Sequence, residues 1–204
     1  MARAQVEGAL GTLRVSLLVA LAALGATGCQ PLTPLQRAGV ELRPPDSWRP
    51  VEASIPLVPG TPLSAWRGPE GASLVLYRTL PSPGVSADML VEGLANRLTN
   101  LPELKIVAKR TEKFGGEPAA RVEVIAPGTG DALAPSGVGT PVAPEGKTLE
   151  PTRQVTVGFA RSSGPLFLTW HMPESAHARI APDIEATLGS LKLSPDTRLS
   201  SYSY

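Results

Sequence analysis

Two histidines, His171 and His177, flank Glu174 in the run His171-Met-Pro-Glu-Ser-Ala-His177. Two imidazoles and a carboxylate form a zinc-type donor set. Pro173 interrupts the run, however, and the spacing is not the His-Glu-x-x-His pattern that puts both rings on one helix face. The plainer reading makes His171 a strand-end residue beside Trp170, and Glu174 an acid in the first turn of a helix, where the dipole favours it. Residues 139–148 end in Gly-Lys-Thr, as a phosphate loop does. The first glycine of that loop would fall at Pro141, and the flanking strand and helix are missing. Ser136, in Ala-Pro-Ser-Gly-Val, lacks the Gly-x-Ser-x-Gly elbow of a serine hydrolase. Asp131, Glu145 and Glu150 lie in an irregular stretch, where preorganised carboxylate pairs are hard to build. The sequence therefore assigns no catalytic residue, metal ligand or cofactor, and the chain is expected not to be an enzyme. Trp48 and Trp170 are expected in the core, because large aromatics dominate core energetics. Trp66, beside Arg67 and a Gly-Pro pair, is open between core and surface and is one candidate contact residue.

Cys29 is the only cysteine. It follows Val15-Ser-Leu-Leu-Val-Ala-Leu-Ala-Ala-Leu-Gly-Ala26, an apolar run of a dozen residues behind Arg3 and Arg14. That length suits the h-region of a signal peptide and falls short of the roughly 20 residues of a bilayer span. Ala26-Thr27-Gly28-Cys29 resembles a bacterial lipobox, with alanine where leucine is more usual. The resemblance implies cleavage before Cys29, diacylation of its thiol, acylation of the new N-terminus, and so a lipid bilayer as a partner. Several acyl chains, each contributing about 0.8 kcal/mol per buried methylene, anchor a protein without a spanning helix. A lipidated Cys29 leaves no thiol for disulfides, catalysis or metal. Gln30 stands where an aspartate would favour inner-membrane retention in Gram-negative sorting, so the outer membrane, on its periplasmic face, is the expected location in such a host.

The 204 residues suffice for one domain with extensions, and 42% are hydrophobic but only 4% aromatic. Aliphatic side chains must therefore fill most of the core. The 22 prolines and 20 glycines imply many breaks. Residues 1–28 hold Arg3, Arg14 and Glu7, so the exported part keeps 17 of the 19 basic and 17 of the 18 acidic residues. A neutral body has no footprint for nucleic acid and no polybasic run for anionic lipid.

The organisation expected is a signal peptide over 1–28, a lipidated cysteine and tether over 29–39, one domain over 40–194, and a disordered tail over 195–204. Ten extended tether residues reach at most about 35 Å. Within the domain, Val40–Leu42 begins a strand, Pro44–Trp48 turns, and Ser54–Val58 pairs with Leu63–Arg67 around Pro59-Gly60. Ala72–Thr79 is a strand rich in β-formers. Ser86 caps a helix through Asn100, with Leu90, Leu94 and Leu98 on one stripe and Val91 beside them. Lys105–Thr111 is a strand, and Gly115-Gly116 turns. Pro118–Ala126 alternates Ala120, Val122 and Val124 against Arg121 and Glu123, the pattern of a half-solvated antiparallel strand. Residues 126–150, with four prolines and five glycines, read as an irregular insert between adjacent strands. Its Leu133 and Val138 are the other candidate contact residues. Arg153–Arg161 alternates again, Ser162–Pro165 turns, and Leu166–Met172 is the most apolar strand and the central one. Glu174–Gly189 is a helix with Ile180, Ile184 and Leu188 inward and Pro182 kinking or restarting it. Ser190–Leu193 is a last short strand. The order predicts an α+β fold, a twisted antiparallel sheet with helices packed on it.

Four features, in order, resemble the PsbP-like superfamily: Val40-Glu-Leu-Arg-Pro-Pro-Asp-Ser-Trp48, the Ser86–Leu98 helix, Phe114-Gly-Gly-Glu-Pro-Ala119, and Leu168-Thr-Trp170 followed by a helix and Ser190-Leu-Lys-Leu193. The resemblance spans about residues 39–193. It departs from the family in its low aromatic content and in the 126–150 insert. It implies an α/β/α sandwich and docking to a protein partner, and it carries over no catalytic motif. The leading expectation is a membrane-anchored, non-enzymatic interaction module with an envelope protein as partner. The alternatives are a small-ligand or lipid carrier, which would show an apolar cavity with convergent polar groups, and an envelope hydrolase, which would show clustered titratable groups in a cleft.

Overall fold

The computed structural model describes residues 32–52, 60–99, 104–128 and 149–195. Met1–Thr33 and Pro34–Tyr204 separate as two units, and the elements below belong to the second. In chain order they are α1 (Pro34–Arg37), β1 (Val40–Glu41), β2 (Arg49–Val51), β3 (Thr61–Arg67), β4 (Ser73–Arg78), α2 (Ala87–Thr99), β5 (Lys105–Phe114), β6 (Glu117–Gly128), β7 (Leu149–Phe159), β8 (Leu166–Pro173), α3 (His177–Ser190) and β9 (Lys192–Leu193). Short 3-10 turns at Pro69–Gly71 and Glu174–Ala176 lead into β4 and α3.

Seven strands form one sheet in the order β2-β3-β4-β8-β7-β6-β5, and every neighbouring pair is antiparallel. β8 is the middle strand, as its apolar run predicts, and Leu166–Met172 is buried throughout. β1 and β9 pair separately, with Val40 opposite Leu193. The strand expected at Ser54–Val58 lies outside the described residues. The place beside β3 is taken by β2, with Pro50 opposite Trp66.

The sheet separates two apolar layers. On one face Leu74, Leu76, Val155, Val157, Phe159, Leu168 and Trp170 meet Ile180, Ile184 and Leu188 of α3. On the other, Val75, Tyr77 and Phe167 meet Leu90 and Leu94 of α2, while Leu98 meets Val122 and Val124. The α+β class and the α/β/α layering are thus as expected. Period-2 alternation on the strands turns successive side chains to opposite helices, and each helix contributes one apolar stripe.

Local chemistry sets the boundaries. The Ser86 hydroxyl accepts the Met89 N–H at 3.2 Å and caps α2. Gly115 and Gly116 both have positive φ, 59° and 87°, between the paired Phe114 and Glu117, as a two-residue hairpin turn requires. Pro182 lies inside α3. It cannot donate to the carbonyl of Ala178, and the buried Ile180, Ile184 and Leu188 hold the helix on the sheet across that gap. Gly158 leaves room for its neighbour: a Cβ there would sit 2.6 Å from the Phe167 ring, which stacks on Tyr77 at 5.3 Å.

Two boundaries are corrected. The tether was expected to run to residue 39, but Pro34 onward is already part of the domain. Leu35 and Ala38 pack on the main core, Val40 is buried, and the Gly39 carbonyl accepts the Ser194 N–H at 2.8 Å. The α1 turn buries apolar surface that a free tether would leave in water. The insert is also shorter than 126–150. β6 runs to Gly128, β7 begins at Leu149, and those two residues face each other, so the excursion does join adjacent strands. Residues 129–148, Leu133 and Val138 among them, lie outside the described residues, as do Cys29 and the tail beyond residue 195.

Candidate functional site

β6 is flanked by β5 and β7, and one of its faces lies under α3. The alternation that puts Val122 and Val124 toward α2 must therefore turn Arg121 and Glu123 toward α3. The expectation of a half-solvated strand is corrected here: Arg121 and Glu123 are each only 6% exposed. They survive burial by pairing, because an isolated buried charge is prohibitive.

The pairs form a continuous network. Arg121 Nε donates to Glu123 Oε1 at 2.9 Å, and its Nη1 donates to Glu185 Oε1 of α3 at 2.7 Å. Glu112 Oε2 of β5 lies 3.8 Å from the same Nη1. Arg153 of β7 reaches Glu123 Oε2 through Nη1 at 3.2 Å. It grips Glu174 with a two-pronged fork, Nε to Oε2 at 2.7 Å and Nη2 to Oε1 at 2.8 Å. His177 Nε2 lies 3.5 Å from Arg153 Nη1. Glu150 Oε1 accepts the Ser175 N–H at 2.9 Å and pins the turn that starts α3.

These contacts set the protonation states. The hydrogen bonds from Arg153 hold Glu174 below the usual carboxylate range, against an opposing effect of burial. Hydrogen bonds from Ser175 do the same for Glu150. Burial pushes the His177 imidazole down, and the nearby Arg153 charge adds to this. Glu174 is thus shifted toward the carboxylate and His177 toward the neutral imidazole, and Arg153 ties the start of α3 to the sheet.

His171 lies on the opposite face of the sheet. It precedes the α3-facing Met172, and its Nε2 is 3.1 Å from Gln154 Oε1. Gln154 Nε2 donates to Thr156 Oγ1 at 2.9 Å, and Thr156 Oγ1 lies 3.3 Å from Thr169 Oγ1. Burial raises the Tyr77 phenol, which hydrogen-bonds Thr169. This is a buried polar string across β4, β8 and β7. The two histidines that chain proximity suggested as joint ligands are therefore separated by the sheet, since His171 and Arg153, the neighbour of His177, point to opposite faces. Among the described residues, no group of three or more His, Cys, Asp or Glu is placed to hold a metal ion.

No family model matches the chain, and no curated relative matches it. Solved structures that are similar to it include these three. Cyanobacterial PsbP from Synechocystis sp. PCC 6803 has a TM-score of 0.48 at 12% identity, over 78% of this chain and 88% of that one. LpqN of Mycobacterium tuberculosis, described as involved in cell envelope biogenesis, has a TM-score of 0.49 at 14% identity, over 76% and 83%. PA94 of Pseudomonas aeruginosa has a TM-score of 0.45 at 20% identity, over 76% and 98%. The likeness is one of fold.

The three tryptophans are all core residues. Trp48 and Trp170 are 5% and 0% exposed, as expected. Trp48 Nε1 donates to Asp183 Oδ2 at 2.8 Å. Trp66, a candidate contact residue, is corrected: it is 7% exposed within the main core, because β3 pairs on both sides, with β2 and β4. The sequence reading missed Arg121, Glu123, Arg153 and Glu185. The available signal was an Arg-x-Glu alternation on a strand whose neighbours on both sides are long enough to enclose it, plus a later helix with a carboxylate to spare.

Proposed function

We propose that the protein is an exported lipoprotein, held on a membrane by acyl groups on Cys29, whose α/β/α domain serves as a non-enzymatic interaction module for an envelope protein. The carrying observation is Cys29 itself, the only cysteine, placed directly after Ala-Thr-Gly at the end of a signal-length apolar run. No helix among the described residues is long and apolar enough to cross a membrane, which is compatible with lipid as the anchor. The chemistry of the domain favours docking over turnover. Its buried carboxylates are committed to arginines, and both histidines are tied into polar networks on opposite faces of the sheet. The excursion at residues 129–148, with Leu133 and Val138, is the proposed docking element. The absence of aspartate at Gln30 favours the periplasmic face of the outer membrane in a Gram-negative host.

The test is metabolic labelling with a clickable fatty acid, with Cys29→Ala alongside. Label on the wild type alone, together with release of the mutant from membranes, is expected. Equal label on both would refute the anchor. Affinity capture from intact envelopes, with and without residues 130–147, tests the docking element. Unchanged recovery of a partner would reduce that segment to a linker.

A further inference from the structure

The way the chain enters the domain constrains how the domain can lie on a bilayer. α1 and Gly39 are fixed to the body: Arg78 Nη2 donates to the Ala38 carbonyl at 2.8 Å, and the Gly39 carbonyl accepts the Ser194 N–H. Only residues 30–33 then separate Cys29 from the fixed chain. Four extended residues span at most about 14 Å. β7 alone is 11 residues long, about 37 Å at strand rise. The end of the sheet that receives the chain is therefore held close to the membrane, whereas nothing ties the other end to it.

The receiving end is identified by a chain of contacts. Arg161, after β7, donates to the Ser194 carbonyl and lies 3.7 Å from Glu117. The hairpin 160–165 abuts the connection after β4: Thr79 N–H donates to the Pro165 carbonyl at 2.9 Å, and a Cβ on Gly164 would lie 2.2 Å from the Thr79 carbonyl oxygen. That connection carries Leu80, 73% exposed, and leads into the first turn of α2, where Met89 is 58% exposed. Among the described residues four large hydrophobics are exposed: Leu32, Leu80, Met89 and Val107. Leu32 is in the four-residue linker, and Leu80 and Met89 lie at or just after the receiving end. Single exposed leucines need no explanation; of the three exposed hydrophobics that belong to the body, Leu80 and Met89 share this end, and Val107, near the start of β5, does not. At the same end Lys192 lies 3.6 Å from Glu41, whereas Arg37 and Lys113 have no acidic partner among the described residues. Lys113 belongs to this end because the β5–β6 turn abuts the residue that joins α3 to β9: a Cβ on Gly115 would lie 3.2 Å from the Leu191 carbonyl oxygen.

We propose that this end of the domain rests on the lipid bilayer, with Leu80 and Met89 at the boundary between headgroups and acyl chains, and Arg37 and Lys113 against lipid phosphates. Shallow insertion of a few apolar side chains beside cations is how interfacial elements bind membranes. The acyl chains supply the affinity, and these contacts fix the orientation. The proposal rests on the Cys29 anchor. It also turns the 149–150 end of the sheet, from which the 129–148 excursion leaves, away from the bilayer and toward a partner.

Acylation consumes Cys29, so Leu80→Cys creates the only free thiol. The acylated protein with a polarity-sensitive dye at that position is placed in phosphatidylethanolamine–phosphatidylglycerol vesicles containing spin-labelled lipid. Met89→Cys is measured likewise. Arg67→Cys, exposed at the opposite end of β3, is the control. A blue shift and severalfold stronger quenching at 80 and 89 than at 67 are expected. Equal quenching at all three positions, or none at 80 and 89, would overturn the orientation. Intact mass measured on the same samples reports acylation separately, and a protein without acyl groups would overturn the anchor and the orientation together. Hydrogen exchange on the unsubstituted acylated protein, in vesicles against detergent, gives the same decision without a new cysteine. Slowing at residues 79–89 but not at 67–73 supports the proposal, and the reverse refutes it.

Discussion

Replacing Glu123 by glutamine keeps the side-chain shape and removes one buried charge. The Glu123 side chain is 8% exposed and bridges Arg121, 7% exposed, and Arg153, 14% exposed. Each contact is worth up to about 4 kcal/mol of Coulomb energy at an effective dielectric of about 20, much of it offset by desolvation. In Glu123→Gln the amide oxygen can still accept from one guanidinium, but the amide N–H then faces the other. Arg121 keeps Glu185 and Arg153 keeps its fork to Glu174, so the loss should fall near the low end of the 3–5 kcal/mol seen when a buried pair is broken, about 3 kcal/mol. At roughly 2–4 °C per kcal/mol, Tm should drop by about 6–12 °C. Urea melts of the unit beginning at Pro34 would measure the change at low and at 1 M salt. A loss under about 1 kcal/mol, or one that disappears in high salt, would show that the network is solvent-screened and the burial argument wrong. The triple change Arg121→Met, Glu123→Leu, Arg153→Met removes the buried members of the bridge together; the carboxylates it deprives of an arginine, Glu174, Glu185 and Glu112, are 34%, 55% and 22% exposed and reach water, so it should cost less than the sum of the three single changes.

Other outcomes follow from the same geometry. Trp170→Ala and Trp48→Ala should each cost about 3–5 kcal/mol in denaturant melts, and a loss under about 1 kcal/mol at both would contradict their burial. Stability should fall in acid in two stages. His177 has a depressed folded pKa, so the unfolded chain takes up the proton first, and stability begins to fall as the pH drops below the ordinary imidazole value of about 6.5. Glu174 and Glu150 are also depressed, so their contribution is present above the ordinary carboxylate value and is lost as the pH falls through their lower folded values. His177→Gln should erase the first stage and leave the second, and an unchanged pH profile in that variant would refute the assignment. Joining Gly128 to Leu149 by a short turn should shift Tm by only a few degrees, since those residues already face each other and loop closure depends weakly on length. A drop of ten degrees or more would make the excursion structural.

What the sequence determined is local. The apolar run before Cys29, the Ser86 cap, the Gly115-Gly116 and Ser162–Pro165 turns, and the unbroken apolar run of β8 each depend on a few neighbouring residues, whose conformational preferences act over one or two turns of chain. The alternation on β6 was likewise legible, and it correctly divided Val122 and Val124 from Arg121 and Glu123. Which face would be dry was not legible. Alternation specifies that two faces differ, and a sheet with a helix on each side buries both, so Arg121 and Glu123 could be assigned to solvent or to an ion network with equal local consistency. The answer came from α3, more than fifty residues later, which lies over that face and brings Glu185 to Arg121. Trp66 and the segment after Pro34 followed the same rule. Their neighbours on the chain are polar or turn-forming, but the strands and core they join come from elsewhere in the sequence. The separation of His171 from His177 was decided in the same way, because six residues of chain proximity count for nothing once the chain crosses from one face of the sheet to the helix covering the other.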